Sequence, residues 1–292
     1  MRAGRSSRTA EQNALFRALE ARRPADLRLF DDRFARTFLT WPLSLVDQLA
    51  ALPGLRELLP WIIDTRWPGV RSAVAARTRL IDDMIAAALR ENHIEQMVIL
   101  GAGFDSRAYR LPETRGVDVF EVDHPDTQAA KRAALERTSS IPANVRYVAT
   151  DFNQRNLTDA MKAAGYRESA DTFILWEGTT NYLTEAAVDA TLRWCSRARP
   201  GSLVLFTYVH RDILTRPDAF VGTKNLFAAL EKAGERFTFG LEPAELAEFL
   251  DRRGLSLESD IGAAEFRRRY YGDAAGAMRG HEFYRVALAR VR

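Results

Sequence analysis

Residues 97–105 read MVILGAGFD, a short apolar run that ends abruptly in Gly-x-Gly. A strand covered by helices on both faces of its sheet is buried on both sides, so it carries a nearly continuous aliphatic run. Glycines at its end remove Cβ atoms where a ligand approaches the backbone. The stretch therefore predicts a buried strand that opens into a nucleotide-binding turn. A glycine-rich loop without a ligand has the same local signature, so the loop alone does not decide between them.

A second strand is predicted at residues 117–123, VDVFEVD, with Asp123 at its carboxyl end, twenty residues after Gly103. This spacing suits a βαβ unit, in which an acid there accepts hydrogen bonds from both ribose hydroxyls. A solvated loop acid is the alternative interpretation of Asp123. The position of the third fingerprint glycine holds Ser106, which disfavours a pyrophosphate. A nucleoside without phosphates tolerates this turn, and S-adenosylmethionine is the commonest such cofactor at this edge of a parallel sheet.

Two further strand ends carry candidate ligands for such a cofactor. The strand at residues 145–150 is followed by Asp151, which could accept from the adenine amino group, and by Phe152, which could serve the base. The apolar strand at residues 172–176 is followed by Glu177. An unpaired carboxylate at such a buried position is costly, so Glu177 needs either a cofactor ammonium or a structural arginine as partner.

Four motifs of the chain occur together in a known order: ARTRLIDD at 76–83, VILGAGFDSRAYRL at 98–111, FEVDHP at 120–125 and WEGTTNYLT at 176–184. This series resembles the leucine carboxyl methyltransferase-like family of class I S-adenosylmethionine-dependent methyltransferases. Its bacterial branch contains many O-methyltransferases. The amino-terminal motif at residues 30–35, FDDRFA, departs from the family in having Asp32 where proline is usual, so no role is transferred to it.

The resemblance implies a set of cofactor contacts. Arg79 would pair with the methionine carboxylate, Gly101 and Gly103 would pass beneath the cofactor, and Asp123 would hold the ribose. Asp151 and Phe152 would flank adenine, and Glu177 would lie near the methionine amino group. The resemblance does not fix the methyl acceptor, and it implies S-adenosylhomocysteine as the second product.

Composition excludes several other classes. The 292 residues carry a net charge of only +3, with interspersed arginines and acids, and no recognised nucleic-acid-binding module is present. Cys195 is the only cysteine, which excludes an internal disulfide and a cysteine-based zinc site. The four histidines lack metal-ligand spacing, so no metal is predicted. No apolar stretch approaches the roughly 18 residues of a spanning helix. We expect a cytoplasmic protein that binds no membrane.

The predicted fold is α/β, a mostly parallel Rossmann-like sheet with helices on both faces. Residues 1–92 are expected to form a helical cap within the same unit, and residues 93–292 the cofactor-binding domain. Residues 209–240 interrupt the pattern after the fifth strand and are expected to form a substrate lid. Residues 255–259 and 283–291 read as a closing strand pair, and the cluster RRRYY at 267–271 reads as a solvated loop between them.

The predicted function is transfer of a methyl group to a hydroxyl or carboxylate of a small molecule, such as a secondary metabolite. A carboxylate acceptor needs no base, whereas an alcohol benefits from one, and His210 and Tyr182 are candidates by location alone. We therefore leave the catalytic residue open, together with the oligomeric state. Two alternatives remain: an NAD-dependent oxidoreductase, which lacks its Tyr-x-x-x-Lys pair here, and a non-catalytic nucleoside-binding module.

Overall fold

The computed structural model describes residues 8–138, 141–150 and 157–292. Asp151 and Phe152, which were predicted to flank adenine, lie outside the described residues. The described strands form one sheet of seven, in the order β3-β2-β1-β4-β5-β7-β6. The strands are β1 Gln96–Leu100, β2 Asp118–Asp123, β3 Val145–Ala149, β4 Thr172–Trp176, β5 Leu203–Val209, β6 Leu255–Gly262 and β7 Tyr284–Val291. Strands β1 to β5 pair in parallel, and β7 pairs antiparallel with β5 and β6.

Helices surround this sheet, and four of the described helices precede β1. These are α1 Arg8–Ala21, α2 Leu43–Leu49, α3 Leu55–Arg66 and α4 Val70–Glu91. The later helices are α5 Arg107–Arg110, α6 Pro125–Glu136, α7 Leu157–Ala163, α8 Glu185–Cys195, α9 Thr223–Ala233, α10 Leu246–Asp251 and α11 Ala263–Tyr271. No described helix combines the length and the apolar composition of a membrane span.

Alternation along β1 divides the core between the two faces of the sheet. Val98 and Leu100 belong to the apolar cluster that includes α8 and α10, whereas Met97 and Ile99 belong to the cluster built on α4 and α11. Because successive strand residues point to opposite faces, a strand covered on both sides is apolar at every position. The predicted mostly parallel sheet with helices on both faces is confirmed.

Strand order brings the candidate ligands to one place. Strand β1 lies between β2 and β4, and all three run in the same direction, so their carboxyl ends meet at one edge. Since the order reverses direction at β1 and β4, a crevice opens there outside the strand ends. The turn after β1, Asp123 after β2 and Glu177 after β4 therefore share this crevice.

The predicted insertion after β5 is present as two short 3-10 helices and α9, followed by an extended segment. It is fastened to the amino-terminal helices by two side-chain hydrogen bonds. Asn225 Nδ2 donates to the carbonyl oxygen of Arg66 at 2.6 Å, and the Thr9 hydroxyl donates to Glu235. The insertion therefore lies over the carboxyl edge beside α1 and the end of α3.

One local prediction is wrong. The cluster at residues 267–271 is not a solvated loop but the last half of α11. Arg267 is 2% exposed, and it donates to the Gly280 carbonyl and pairs with Glu282 at 3.1 Å. Charged residues indicate a solvated surface only when no partner is near. Here the partners come from the segment before β7, which the local sequence does not reveal.

Candidate functional site

The turn after β1 requires glycine at two positions. Gly101 and Gly103 have φ angles of 65° and 42°, in the left-handed region that side chains disfavour. A Cβ on Gly101 would collide with the Thr179 side chain, so this glycine admits the segment after β4. A Cβ on Gly103 would instead face the Asp123 carboxylate, 4.0 Å from Oδ2. Gly101 is therefore required by the approach of Thr179 as well as by its φ angle, whereas Gly103 is required by its φ angle alone.

The Asp123 carboxylate is fixed beside this turn. Its Oδ2 accepts from the Gly103 main-chain N–H, and its Oδ1 accepts from the His124 N–H at 2.6 Å. Burial raises the pKa of Asp123 above its ordinary value, against the lowering effect of these two main-chain donors. Further hydrogen-bond donors would stabilise the ionised form of such a buried carboxylate. Each of its oxygens can still accept one more hydrogen bond.

Glu177 does not stand unpaired at the end of β4. Arg77 Nε lies 2.8 Å from Oε1, and an Arg107 terminal nitrogen lies 2.7 Å from Oε2. Burial by itself raises the pKa of Glu177, but the Arg107 and Arg77 guanidiniums outweigh it, and the pKa is lowered. Glu177 is therefore ionised at neutral pH, and the strand end holds an anion and a cation side by side.

Arg107 is the centre of a buried ionic network. It is 2% exposed, contacts Glu177 and Asp105, and places Nε 2.8 Å from Asp82 on α4. Arg110 reaches the same Asp82 at 2.6 Å. The pKa of Asp105 is lowered to about 2, because Arg107 and further cations overcome the opposing effect of burial. The network joins α4, the glycine turn and the end of β4.

The structure separates the two arginines of the ARTR motif. Residues two apart on an α-helix point about 200° apart, so Arg77 and Arg79 lie on different faces of α4. Arg77 faces Glu177, whereas Arg79 donates to the Leu29 carbonyl at 2.6 Å and pairs with Asp83 at 2.9 Å. The expected grouping of Arg79 with Glu177 is not observed. The apolar face of α4 could have identified Arg77, because Leu80 and Ile81 bracket its direction.

Asp32, to which the sequence assigned no role, is an anchor of the turn. It is fully buried, its Oδ2 accepts from the Ser106 hydroxyl at 2.6 Å, and Arg17 lies 3.3 Å away. Its Oδ1 accepts from the main-chain N–H groups of Phe34 and Ala35. The amino-terminal motif is thus tied to the residue that replaces the third glycine. Only the tertiary contact identifies this role.

Aromatic side chains cover the Arg77–Glu177 pair on the side of the insertion. The Arg77 guanidinium lies 5.1 Å from the centroid of the Tyr284 ring. Tyr182 and Tyr284 both contact Phe237 edge-on, with centroids 5.5 and 6.5 Å away. Burial raises the pKa of Tyr182 well above its ordinary value. The Tyr182 phenol therefore stays protonated at neutral pH and is a hydrogen-bond donor rather than a base.

His210, the other base candidate, contacts a different group of residues. Its Nδ1 accepts from the Asp212 N–H at 3.1 Å, so in the neutral ring Nε2 carries the proton, 3.6 Å from Glu242. These three side chains lie close enough to hold a cation. Asp212 is paired with Arg216, however, so its carboxylate already has a cationic partner in this partly buried group.

Comparison with known proteins identifies the family. The model of the leucine carboxyl methyltransferase family matches residues 10–196, more than half of the chain. The chain belongs to this family. A relative from Parafrankia sp. is 32% identical to this leucine carboxyl methyltransferase family member. The match covers 89% of this chain and 81% of the relative. A relative from Mycobacteroides abscessus is 36% identical over 70% of this chain and 67% of its own length. Both are named as S-adenosyl-L-methionine-dependent methyltransferases.

Solved structures agree with the fold of this family member. A methyltransferase from Thermobifida fusca is 16% identical, covers 87% of this chain and 99% of its own, and has a TM-score of 0.57. A protein of the DUF574 family from Streptomyces avermitilis is 14% identical over 98% of both chains, with a TM-score of 0.63. The predicted class I methyltransferase fold is confirmed, and so is the predicted class of enzyme at the level of the family.

Proposed function

We propose that this chain transfers the methyl group of S-adenosyl-L-methionine to an oxygen atom of a small molecule. The observation that carries the proposal is the grouping at one sheet edge of the Asp123 carboxylate and the Arg77–Glu177 pair. An adenosyl cofactor with an amino-acid end needs both: an acid for its ribose hydroxyls, and paired opposite charges for its carboxylate and ammonium. When bound, the cofactor supplies a methyl group activated by the positive sulfur.

The charges fit the amino-acid end of the cofactor. Arg77 offers a guanidinium to the methionine carboxylate, and Glu177 offers a carboxylate to the ammonium. The pair is self-neutral, and so is the zwitterionic amino-acid end of the cofactor, so that end adds no net charge to the buried pair. We assign the carboxylate contact to Arg77 in place of Arg79, because Arg77 alone of these two contacts Glu177.

The remaining contacts follow from the turn and the neighbouring strand ends. Asp123 is proposed to hold the ribose, since its oxygens retain acceptor capacity beside Gly103. Gly101 and Gly103 are proposed to form the floor of the site. Asp151 and Phe152 stay proposed for adenine on the resemblance alone.

The chain contributes position and exclusion of water to the reaction. Well-oriented reacting pairs reach effective molarities of about 10⁵ M or more, so alignment alone can supply most of the rate enhancement. Tyr284 lies over Arg77, and Tyr182, Phe237 and Tyr284 supply apolar walls beside the insertion, which the Thr9–Glu235 hydrogen bond joins to α1. A small molecule of moderate polarity fits such a compartment.

An NAD-dependent activity receives little support from the local geometry. A pyrophosphate is held by the amino terminus of a helix after the glycine turn, where aligned peptide dipoles favour negative charge. Here α5 spans only four residues, and the buried Ser106 that precedes it is engaged by Asp32. A non-catalytic nucleoside-binding module is an outcome that the following experiment detects.

Calorimetry and product release test the proposal together. S-adenosylmethionine and S-adenosylhomocysteine are expected to bind, NADH is not, and a panel of hydroxyl and carboxyl compounds should release S-adenosylhomocysteine. Asp123→Ala should weaken cofactor binding by more than about 1 kcal/mol, the scale of hydrogen bonds to a charged group. Asp118→Ala at the opposite end of β2 is the control. Unchanged affinity in Asp123→Ala removes it from the site, and binding without turnover of any acceptor favours the non-catalytic module.

A further inference from the structure

Helices α2 and α3 carry apolar side chains on a side that no described part of the chain covers. On α3, Leu58, Trp61 and Ile62 are three and four residues apart, so they share one side of the helix, and all three are exposed. The other exposed apolar residues on or beside these two helices are Trp41, Leu45, Leu52 and Trp67. These seven side chains are called the α2–α3 face below.

The two helices use a different side to pack on the rest of the protein. Val46 of α2 and Leu59 and Ile63 of α3 join one apolar cluster with side chains of α1. Only residues 50–54 separate α2 from α3, and the two helices contact each other, so their solvent-facing sides adjoin. A helix that is apolar on more than one side is normally buried on each of them. The α2–α3 face is therefore apolar surface that packing within the chain leaves unused.

The α2–α3 face is larger than the apolar patches of most monomers. Trp41 is 80% exposed and Trp61 is 63% exposed. With about 250 Å² for a whole tryptophan side chain, the seven residues together expose roughly 700 Å². The largest apolar patch of a typical monomer is about 300–600 Å². Two such faces packed together would bury roughly 1,400 Å², within the range of about 1,200–2,000 Å² for stable, specific interfaces.

The charges of the two helices argue against a lipid surface as the occupant of this face. Residues 41–67 contain two arginines and three acids. A helix that lies on anionic lipids presents a surplus of lysine and arginine beside its apolar side, and the negative membrane surface attracts those cations. This attraction is missing here, so the occupant is better sought among proteins.

The exposed charges beside the face suit a second copy of the same chain. Arg56 and Glu57 lie in the first turn of α3, both are exposed, and neither forms an ion pair with a described residue. A twofold interface brings the same surface of both copies together, so the positive group of each copy can meet the negative group of the other. Apolar and aromatic side chains with polar groups at their border are the usual anatomy of such an interface.

We propose that the α2–α3 face binds the same face of a second copy, so that the protein is a twofold dimer in solution. Trp41, Trp61 and Trp67 become buried at this interface, where large aromatic side chains supply much of the binding energy. The remaining two tryptophans, Trp176 and Trp194, are already buried within the chain. This assembly does not depend on the proposed methyl transfer.

Sedimentation equilibrium of the full chain tests the assembly. At about 10–100 µM the wild type should have twice the mass of one chain. Leu58→Glu combined with Ile62→Glu places two charges in the apolar face and should raise the dimer dissociation constant at least about a hundredfold. Trp41→Glu, beside the other helix, provides a second test should the double variant fail to fold. A monomeric wild type at these concentrations overturns the proposal.

The control variant carries its new charge on the other side of the sheet. Ala190→Glu changes an exposed residue of α8, which packs on the opposite face of the sheet from α4. Its dissociation constant should stay within about twofold of the wild-type value, as expected of a surface substitution outside the interface. A dimer that is equally stable in the control and in the face variants overturns the proposal.

Tryptophan fluorescence then locates the interface, because Leu58→Glu with Ile62→Glu keeps all five tryptophans. At equal concentration, acrylamide should quench the dimeric wild type less than the double variant, since only the dimer shields Trp41, Trp61 and Trp67. Equal quenching would place the interface elsewhere and overturn the proposal. Shielding of these tryptophans by vesicles of phosphatidylglycerol and phosphatidylcholine, in a wild type that does not dimerise, would assign the face to lipid instead.

Discussion

Arg77 and Arg79 offer a direct test at the scale of single residues, because they are identical in type and two positions apart. Arg77→Leu should weaken S-adenosylhomocysteine binding by at least about tenfold, since it removes a buried charged partner of the amino-acid end. Arg79→Leu should change the affinity less than about twofold, because its exposed pair with Asp83 contributes little. Calorimetry of both variants measures the difference.

A thermal unfolding curve for each variant controls for global damage. Arg77→Leu also removes a partner of Glu177, so its stability is expected to fall more than that of Arg79→Leu. Equal losses of cofactor affinity in the two variants, or a larger loss in Arg79→Leu, would restore the assignment that the resemblance implies.

His281 is a buried histidine in the left-handed region, with φ of 59°. Burial, together with the cations Arg267 and Arg77, lowers its pKa to about 3. As the pH falls below about 6.5, the histidine therefore binds a proton in the unfolded chain, whereas in the folded protein it stays neutral until about pH 3. Stability from the neutral ring is complete above that pH and is lost as the pH falls towards 3.

We predict that His281→Asn flattens this dependence. Asparagine tolerates the backbone angle and does not titrate. Between about pH 6 and 4, the free energy of unfolding of the wild type should fall more steeply than that of the variant, by up to about 1.4 kcal/mol per pH unit. Urea unfolding at several pH values measures both slopes. Parallel slopes would show that His281 is protonated equally in the folded and unfolded states.

At the scale of elements, helix α8 begins directly after a capping threonine. The Thr184 hydroxyl accepts from the Ala187 N–H at 3.2 Å, which satisfies one of the free donors of the first turn. Thr184→Ala should lower the free energy of unfolding by about 1 kcal/mol. Thr65→Ala, which removes an exposed hydroxyl within α3, should lower it by less than about 0.5 kcal/mol. Urea denaturation compares the two, and an equal effect would contradict a capping role.

Elements also show where local sequence fails. Helix α8 and strand β1 carry their own signals, a capping threonine and an apolar run that stops at glycine. Helix α11 does not, because its charged and aromatic residues find partners in distant segments: Arg267 with Glu282, and Tyr270 with Asp83 on α4. A prediction from a few neighbouring residues therefore describes such a helix as a solvated segment.

For the whole molecule, the decisive feature is the order of strands around β1. It places three carboxyl ends in one crevice, and the buried network of Arg107, Asp82 and Glu177 locks the amino-terminal helices to it. Asp32 adds a second link from residues before α2 to the glycine turn. Buried ion pairs and hydrogen bonds therefore join the amino-terminal segment to the carboxyl edge of the sheet.

The sequence by itself determined the class of fold, the strands that end at the crevice, and the candidates Gly103, Asp123 and Glu177. Those signals are local, because an apolar strand, a glycine turn and a terminal acid are all adjacent in the chain. Only the tertiary structure decided that Arg77 rather than Arg79 faces Glu177 and that Asp32 anchors the turn. Each of these depends on the rotation of a helix or the approach of segments distant in sequence, and no short stretch of residues encodes such a contact.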